Sequence, residues 1–381
     1  MPEVGRTLHK ASVAAGVMAG VVLVASSLLG AVYVSGWFSS APEHNTFVQI
    51  GDMTTARWNP TATLLVDGRV LVAGGVGNGT GYGLGGGPTL DSAELFDPKT
   101  DRFTATAPMT TARQAATSAL LPNGQVLVAG GGTASAELYD PTTGKFSPTG
   151  SMSHSRCGAL SVALQDGRVL VVGGGCDEYD NDNSSEVYDP ATGQFRSTGS
   201  LSTVWSPSSA IRLKDGRVLV AGGVDWETTE RVSFANIYEP GTGQFSATGP
   251  LPTPQDGAAA LLPDGRVLIA GGCGNGFDGP LTTSSAELYD PASGSFRRTG
   301  PMQTTVCGGQ SARLASGSVL VFGWDAEVYD PTTGTFHIAN GGATSYGSSV
   351  TPLTDGRILV AGGWSEDDYA PALPWASLYL P

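Results

Sequence analysis

The 381-residue chain predicts an all-β fold, a seven-bladed propeller, and three observations carry that prediction. The stretch DGRVLVAGG (67–75) returns as NGQVLVAGG (123–131), DGRVLVVGG (166–174), DGRVLVAGG (215–223), DGRVLIAGG (264–272), SGSVLVFGW (316–324) and DGRILVAGG (355–363). A phenylalanine recurs at 47, 103, 146, 195, 245, 296 and 336, a mean spacing of about 48 residues, and a period of about 40–50 with four strand-like segments marks a propeller blade. The two ends of the chain are complementary: it begins on the fourth segment of a unit and stops on the third.

The segments of each unit are taken in order as strands a to d. Strand a is rich in small residues, as in Ala115-Ala116-Thr117-Ser118-Ala119, which suits the crowded innermost position around an axis. Asp-Gly or Asn-Gly then predicts a two-residue hairpin turn with left-handed residues. Strand b, such as Val70-Leu71-Val72-Ala73, is apolar without alternation, so it must be covered on both faces. The two glycines after it mark a bend or a close approach of another backbone. Strand c is AELFDP (93–98) and its copies, and strand d opens at the phenylalanine after an Asp-Pro-x-Thr-Gly turn. FVQIGDM (47–53) reads as a strand d and Leu378-Tyr379-Leu380 as a strand c. Phe47–Asp52 is therefore expected to supply the outer strand of the last blade and close the ring, which removes open sheet edges.

The N-terminus differs. Arg6, His9 and Lys10 precede an uncharged run over 11–40, longer than the roughly 20 residues that span a bilayer. The reading is a signal anchor, with one transmembrane helix over about 11–36 and everything beyond it outside the cell membrane. Secretion after signal cleavage is the alternative. Residues 1–46 then form a cytoplasmic stub, anchor and short linker, and 47–381 the propeller. The net charge is −14 with no basic run, which argues against nucleic acid as a partner.

The units resemble the kelch repeat, in the version shared with galactose-oxidase-like bacterial propellers. The resemblance rests on the Gly-Gly after VLVA, the [AS]-E-[LV]-[FY]-D-P that follows, the aromatic opening strand d and the arginine that begins strand a, and it covers 47–381. Two units depart: Gly323-Trp324 replaces Gly-Gly, and Asn236 and Glu239 stand where others have Glu and Asp. Antiparallel order puts the b–c and d–a loops on one face and the tight turns on the other. The b–c loops vary in length, at 17, 4, 10, 11, 13, 1 and 12 residues, so a site is expected on that face near the channel. The resemblance implies that Arg57, Arg113 and Arg156 meet an acidic ligand at the channel mouth, with Trp58, Trp205 and Tyr346 as stacking surfaces. Repeat arginines can instead bond backbone carbonyls of neighbouring blades.

Cys157 and Cys307 hold the same repeat position, and Cys176 and Cys273 lie just past Gly-Gly, so 157–176 and 273–307 are the expected disulfides. Asp177, Asp180 and Asp182 are a weak calcium candidate, and a solvated acidic loop is the preferred reading. The galactose-oxidase side of the resemblance implies copper held by two histidines, two tyrosines and a cysteine cross-linked to a tyrosine. Only His154 and His337 fall in the propeller, so neither copper nor another cofactor is expected. The leading expectation is a non-catalytic module binding a glycan or protein. A carbohydrate-active enzyme without copper is the alternative, and a structural or assembly role the third.

Overall fold

The computed structural model describes residues 45–78, 87–176, 183–203, 206–225, 228, 230–273, 283–305, 309–322, 325–340, 347–364 and 372–381. The expected anchor at 11–36 lies outside them, and among the described residues no helix is long and apolar enough to cross a membrane. The compact unit Pro42–Pro381 consists of seven antiparallel sheets, each with four strands in the order a-b-c-d. The a strands neighbour one another around the ring, with blade seven against blade one. In blade four, strands a (Ser206–Arg212) and b (Val218–Asp225) run longer, and b also pairs with a short strand at Glu230–Arg231.

Strand b explains why the blades stack. Val70 and Val72 pack into the core between blades seven and one, whereas Leu71 and Ala73 pack into the core between blades one and two. Val126 and Val128 enter that second core from the other side, and Leu127 and Ala129 turn toward blade three. Side chains alternate across a strand, so a strand shared by two cores must be apolar at every position. The apolar clusters accordingly lie in the gaps between blades.

The turn between strands a and b differs from the expectation. It is a three-residue loop: Leu65 N–H donates to the Arg69 carbonyl at 2.8 Å, and of Asp67 and Gly68 only the glycine is left-handed, at φ 89°. Asp67 instead accepts the Arg69 N–H at 3.0 Å through its side chain. The glycine is required twice over in other blades, because a Cβ on Gly167 would stand 2.7 Å from the Pro122 ring of the preceding blade. The leucine two residues before the turn aspartate recurs in all seven blades and is buried each time, from Leu65 to Leu353.

A second bolt joins consecutive blades. Thr106, at the end of one strand d, bonds the Tyr139 hydroxyl in the next strand c at 3.0 Å and donates to the Gly144 carbonyl at 3.2 Å. The same arrangement recurs at Thr149–Tyr188, Thr198–Tyr238, Thr248–Tyr289 and Thr299–Tyr329. The seam is different. Ile50 takes the threonine's place and Phe96 the tyrosine's, and Ile50 packs against the cluster that contains Phe96. Ala339 holds the threonine position before blade seven, and Tyr379 donates to Asn45 Oδ1 at 2.9 Å instead.

The ring closes as expected. Thr46–Gln49 pairs with Ala376–Leu380, with Phe47 opposite Tyr379 and their rings 5.0 Å apart. Deleting 42–53 removes this strand, buried Phe47 and Met53, and should cost more than about 5 kcal/mol from the two side chains alone. The expected readout is a large fall in Tm with association through the freed edge of Ala376–Leu380; an unchanged melt would refute closure by this strand.

Candidate functional site

The arginines at the start of strand a are structural. Arg57, Arg113 and Arg156 are each 0 % exposed. Arg113 Nη1 donates to the carbonyls of Gly130 and Ser135, at 2.7 and 2.8 Å, and Nη2 to Ser135 Oγ and Glu137 Oε1, at 2.8 and 3.0 Å. Arg57 repeats the set on Gly74, Ser92 and Glu94, and Arg156 on Gly173, Ser184 and Glu186. The carboxylates also take main-chain donors: Glu137 accepts the N–H groups of Thr110 and Thr111 at 2.7 and 3.2 Å. Burial pulls the Arg57 and Arg113 guanidinium pKa down from its ordinary value, and Glu94 and Glu137 push it back up. The expected anion contacts at Arg57, Arg113 and Arg156 are thus corrected, since each fork is filled by its own blade and closed to solvent.

The main chain of the same residues reaches the other way. The Arg113 carbonyl accepts the Gly75 N–H of the preceding blade at 2.8 Å, and a Cβ on Gly74 would stand 2.5 Å from that carbonyl oxygen. Arg57 and Gly363 repeat the contact at 2.8 Å between blades one and seven. The carboxylate partner was written in the sequence as the glutamate of the A-E-L-Y-D-P segment, but pattern alone does not say that it faces an arginine.

Blade five lacks the arginine. Gln255 takes its place, still accepting Gly223 N–H through its carbonyl at 3.0 Å, and its Nε2 donates to Glu287 Oε2. Glu287 is 0 % exposed, and its Oε1 has no hydrogen-bond partner. Burial pushes this carboxyl's pKa up, against the opposing pull of Thr253, Gln255 and the charge of Arg298 across the strand pair.

What the loop-face mouth of the channel does offer is a cavity of about 500 Å³ lined by small and uncharged residues of the a strands, among them Asn59, Thr61, Ser118, Ser161, Gln310 and Ser349. Among the described residues no ionisable side chain lines it. Its rim is built by left-handed residues, Gly347, Asn59, Ala115 and Gly158, at φ 71°, 50°, 50° and 65°. Each donates its N–H to the carbonyl of the one before: Asn59 to Gly347 at 2.9 Å, Ala115 to Asn59 at 3.3 Å and Gly158 to Ala115 at 2.9 Å. Hydroxyls continue the links inside, with Thr63 on Ser118 at 2.7 Å and Ser161 donating to the Ser118 carbonyl at 3.0 Å. Seven strands with small side chains can approach closely enough for hydroxyls to bridge them, which the composition of strand a foreshadowed.

Trp58 stands beside this rim, partly buried. Its main chain pairs with Val76 and its indole Nε1 is covered without a partner. Trp205 and Tyr346 lie outside the described residues, as do Asp177, Asp180 and Asp182. Cys157 and Cys176 are joined as expected. Cys273 is also disulfide-bonded, and its expected partner Cys307 lies outside the described residues.

Comparison with known proteins follows this geometry. The family model of the Kelch motif matches residues 57–110 and 156–202. Both stretches begin on one of the buried arginines. The chain is a seven-bladed β-propeller that carries the Kelch motif in these two stretches. No curated protein matches it in sequence. Among solved structures it is similar to a fungal alcohol oxidase of the AA5 family in complex with copper, with TM-score 0.68 and 19 % identity over 88 % of this chain and 76 % of that one. The likeness is one of fold. The residues here do not fit a copper site: His154 is exposed beside Ser153 and Ser184 on the loop face, and His337 is exposed on the outer strand Thr335–Ile338. Cys157, Cys176 and Cys273 are held in disulfides, and no three His, Cys, Asp or Glu side chains converge among the described residues.

Two outcomes test this account. Arg113→Ala strands Glu137 in the interior and should cost about 3–5 kcal/mol, read as a lower denaturant midpoint; an unchanged midpoint would return Arg113 to the candidate ligand contacts. Glu287→Gln tests the arginine-free blade. A carboxyl whose pKa is raised on folding stabilises the fold fully below its unfolded pKa, about 4.3, and that contribution is lost as pH rises through the folded pKa. The variant should therefore gain on the wild type in Tm as pH rises from 4 to 8. A difference independent of pH would refute the raised pKa.

Proposed function

We propose that this propeller is a non-catalytic binding module for a neutral glycan, seated at the loop-face mouth of the channel and carried outside the membrane by the apolar segment at 11–36. The observation that carries the reading is the lining of the cavity: hydroxyls, two carboxamides, small side chains and, among the described residues, no charge. Such a surface exchanges hydrogen bonds with sugar hydroxyls and has nothing to pair with an ionic group. Asn59, Ser118 and Gln310 are its polar contacts. A pocket of this size is in the range that holds a drug-sized or mono- to disaccharide ligand. No cofactor enters this reading, because recognition needs only these groups.

Among the described residues no base stands beside the lining hydroxyls, which favours binding over turnover, since a serine or threonine needs an adjacent base to become a nucleophile. The Cys157–Cys176 disulfide agrees with an oxidising compartment. A cavity on the face whose loops vary in length has the setting in which a rigid scaffold displays specificity.

A glycan array probed with the 42–381 unit tests all three parts. A selective, neutral hit is expected, and the combined change Thr61→Val, Ser118→Ala, Gln310→Ala should weaken it at least about tenfold, or roughly 1.4 kcal/mol, with the fold intact by circular dichroism. The fluorescent form of that glycan should label intact cells without lysis, and mass spectrometry should return it unchanged. A silent array would refute the glycan, labelling only after lysis would refute the outside location, and a cleaved or oxidised product would refute the non-catalytic role.

A further inference from the structure

The opposite end of the same channel carries charge. Two rungs of the a strands approach the turn face. On the upper rung, the residue paired with the first residue of strand b is Arg212 in blade four, opposite Val218, and Arg313 in blade six, opposite Val319. The other five blades place Leu64, Leu120, Ala163, Leu261 and Pro352 there. Two residues further on, Lys214 stands in blade four and uncharged residues in all the others. These rungs thus hold three cations and no acid, in a chain with net charge −14.

All three side chains are exposed; Arg212 and Arg313 stand on innermost strands, whereas Lys214 lines a groove between the turns of blades four and five with Asp215, Asp264 and Asp290. Arg212 spends Nη1 on the Ala163 carbonyl at 2.9 Å and keeps its other donors, while Lys214 donates to the Pro263 carbonyl. The nearest carboxylates belong to the turns and are already engaged: Asp166, Asp215 and Asp264 are held by Arg168, Arg217 and Arg266 at 2.7, 2.7 and 2.6 Å. Lys214 also faces Asp264. Among the described residues, Arg212 and Arg313, on the blades either side of Leu261, pair with no carboxylate.

We propose that Arg212 and Arg313 form an oxyanion-binding site at the turn-face end of the channel, suited to a doubly charged tetrahedral group such as sulfate or phosphate. Guanidinium forks offer parallel donors to such oxygens. The inference stands apart from the glycan reading, because none of its residues lines the loop-face cavity.

The test is a titration of the full chain with sodium sulfate and sodium phosphate, ionic strength held constant with sodium chloride, followed by thermal shift and calorimetry. A saturable rise in Tm with one-to-one binding is expected for the wild type. Arg313 makes no contact that folding depends on, so Arg313→Gln should keep the wild-type Tm without sulfate and weaken sulfate at least tenfold; Arg313→Lys should retain part of it and Arg313→Glu none. No saturable response beyond chloride in the wild type would overturn the proposal, as would Arg313→Glu binding sulfate as the wild type does.

Discussion

The contact on which the ring depends is between two main chains. A carbonyl at the start of one strand a accepts an N–H from the glycine pair of the blade before, and the first glycine of that pair has a Cβ-sized space only because it has no Cβ. Everything at the channel follows from that approach. It brings neighbouring a strands close, which restricts them to small side chains, which in turn lets hydroxyls link strand to strand where no ladder hydrogen bonds run. The arginine's side chain completes the contact by tying the same residue to its own blade through a buried glutamate. Main chain to the neighbouring blade and side chain to its own make this residue a two-way staple.

Buried ion pairs of this kind are weak evidence for stability and stronger evidence for geometry. Three consecutive blades use the arginine and glutamate. Blade five keeps the carbonyl contact with Gln255 while a carboxamide replaces the arginine fork on Glu287, and Asn236 and Ser377 stand at the glutamate position in blades four and seven. The main-chain contact survives the loss of the side-chain one, which ranks them. It also makes the molecule unequal around its axis: the linked left-handed residues of the mouth come from blades seven, one, two and three, and the free arginines of the far end from blades four and six.

The fold was legible because its signals are local and repeated. Period, turn glycines, the doubly apolar strand b and the matching chain ends each state one fact seven times. The site was much less so. Arg57, Arg113 and Arg156 have the residue type for a ligand contact and the right place along the strand, but direction decides their role. That direction is set by Glu94, Glu137 and Glu186, about 30 residues on, and by carbonyls that no sequence displays. The turn was misjudged for a smaller reason: Asp-Gly suits both two- and three-residue loops, and the Leu65–Arg69 pairing selects the second. The hydroxyl-lined cavity was present as composition only, since its shape belongs to six strands at once.

Ile50 and Phe96 give the ring a way to count. Seven nearly identical units could in principle close after six or slip by one, because each threonine would find a tyrosine in any following blade. At the seam both partners change together, so a misplaced closing strand would set Ile50 against a tyrosine hydroxyl or a threonine against Phe96, each leaving a polar group unanswered in the interior. The mismatch raises the energy of every wrong copy number and leaves the right one untouched. A repeat protein so uniform elsewhere thus carries its stop signal in two side chains that form no hydrogen bond to each other.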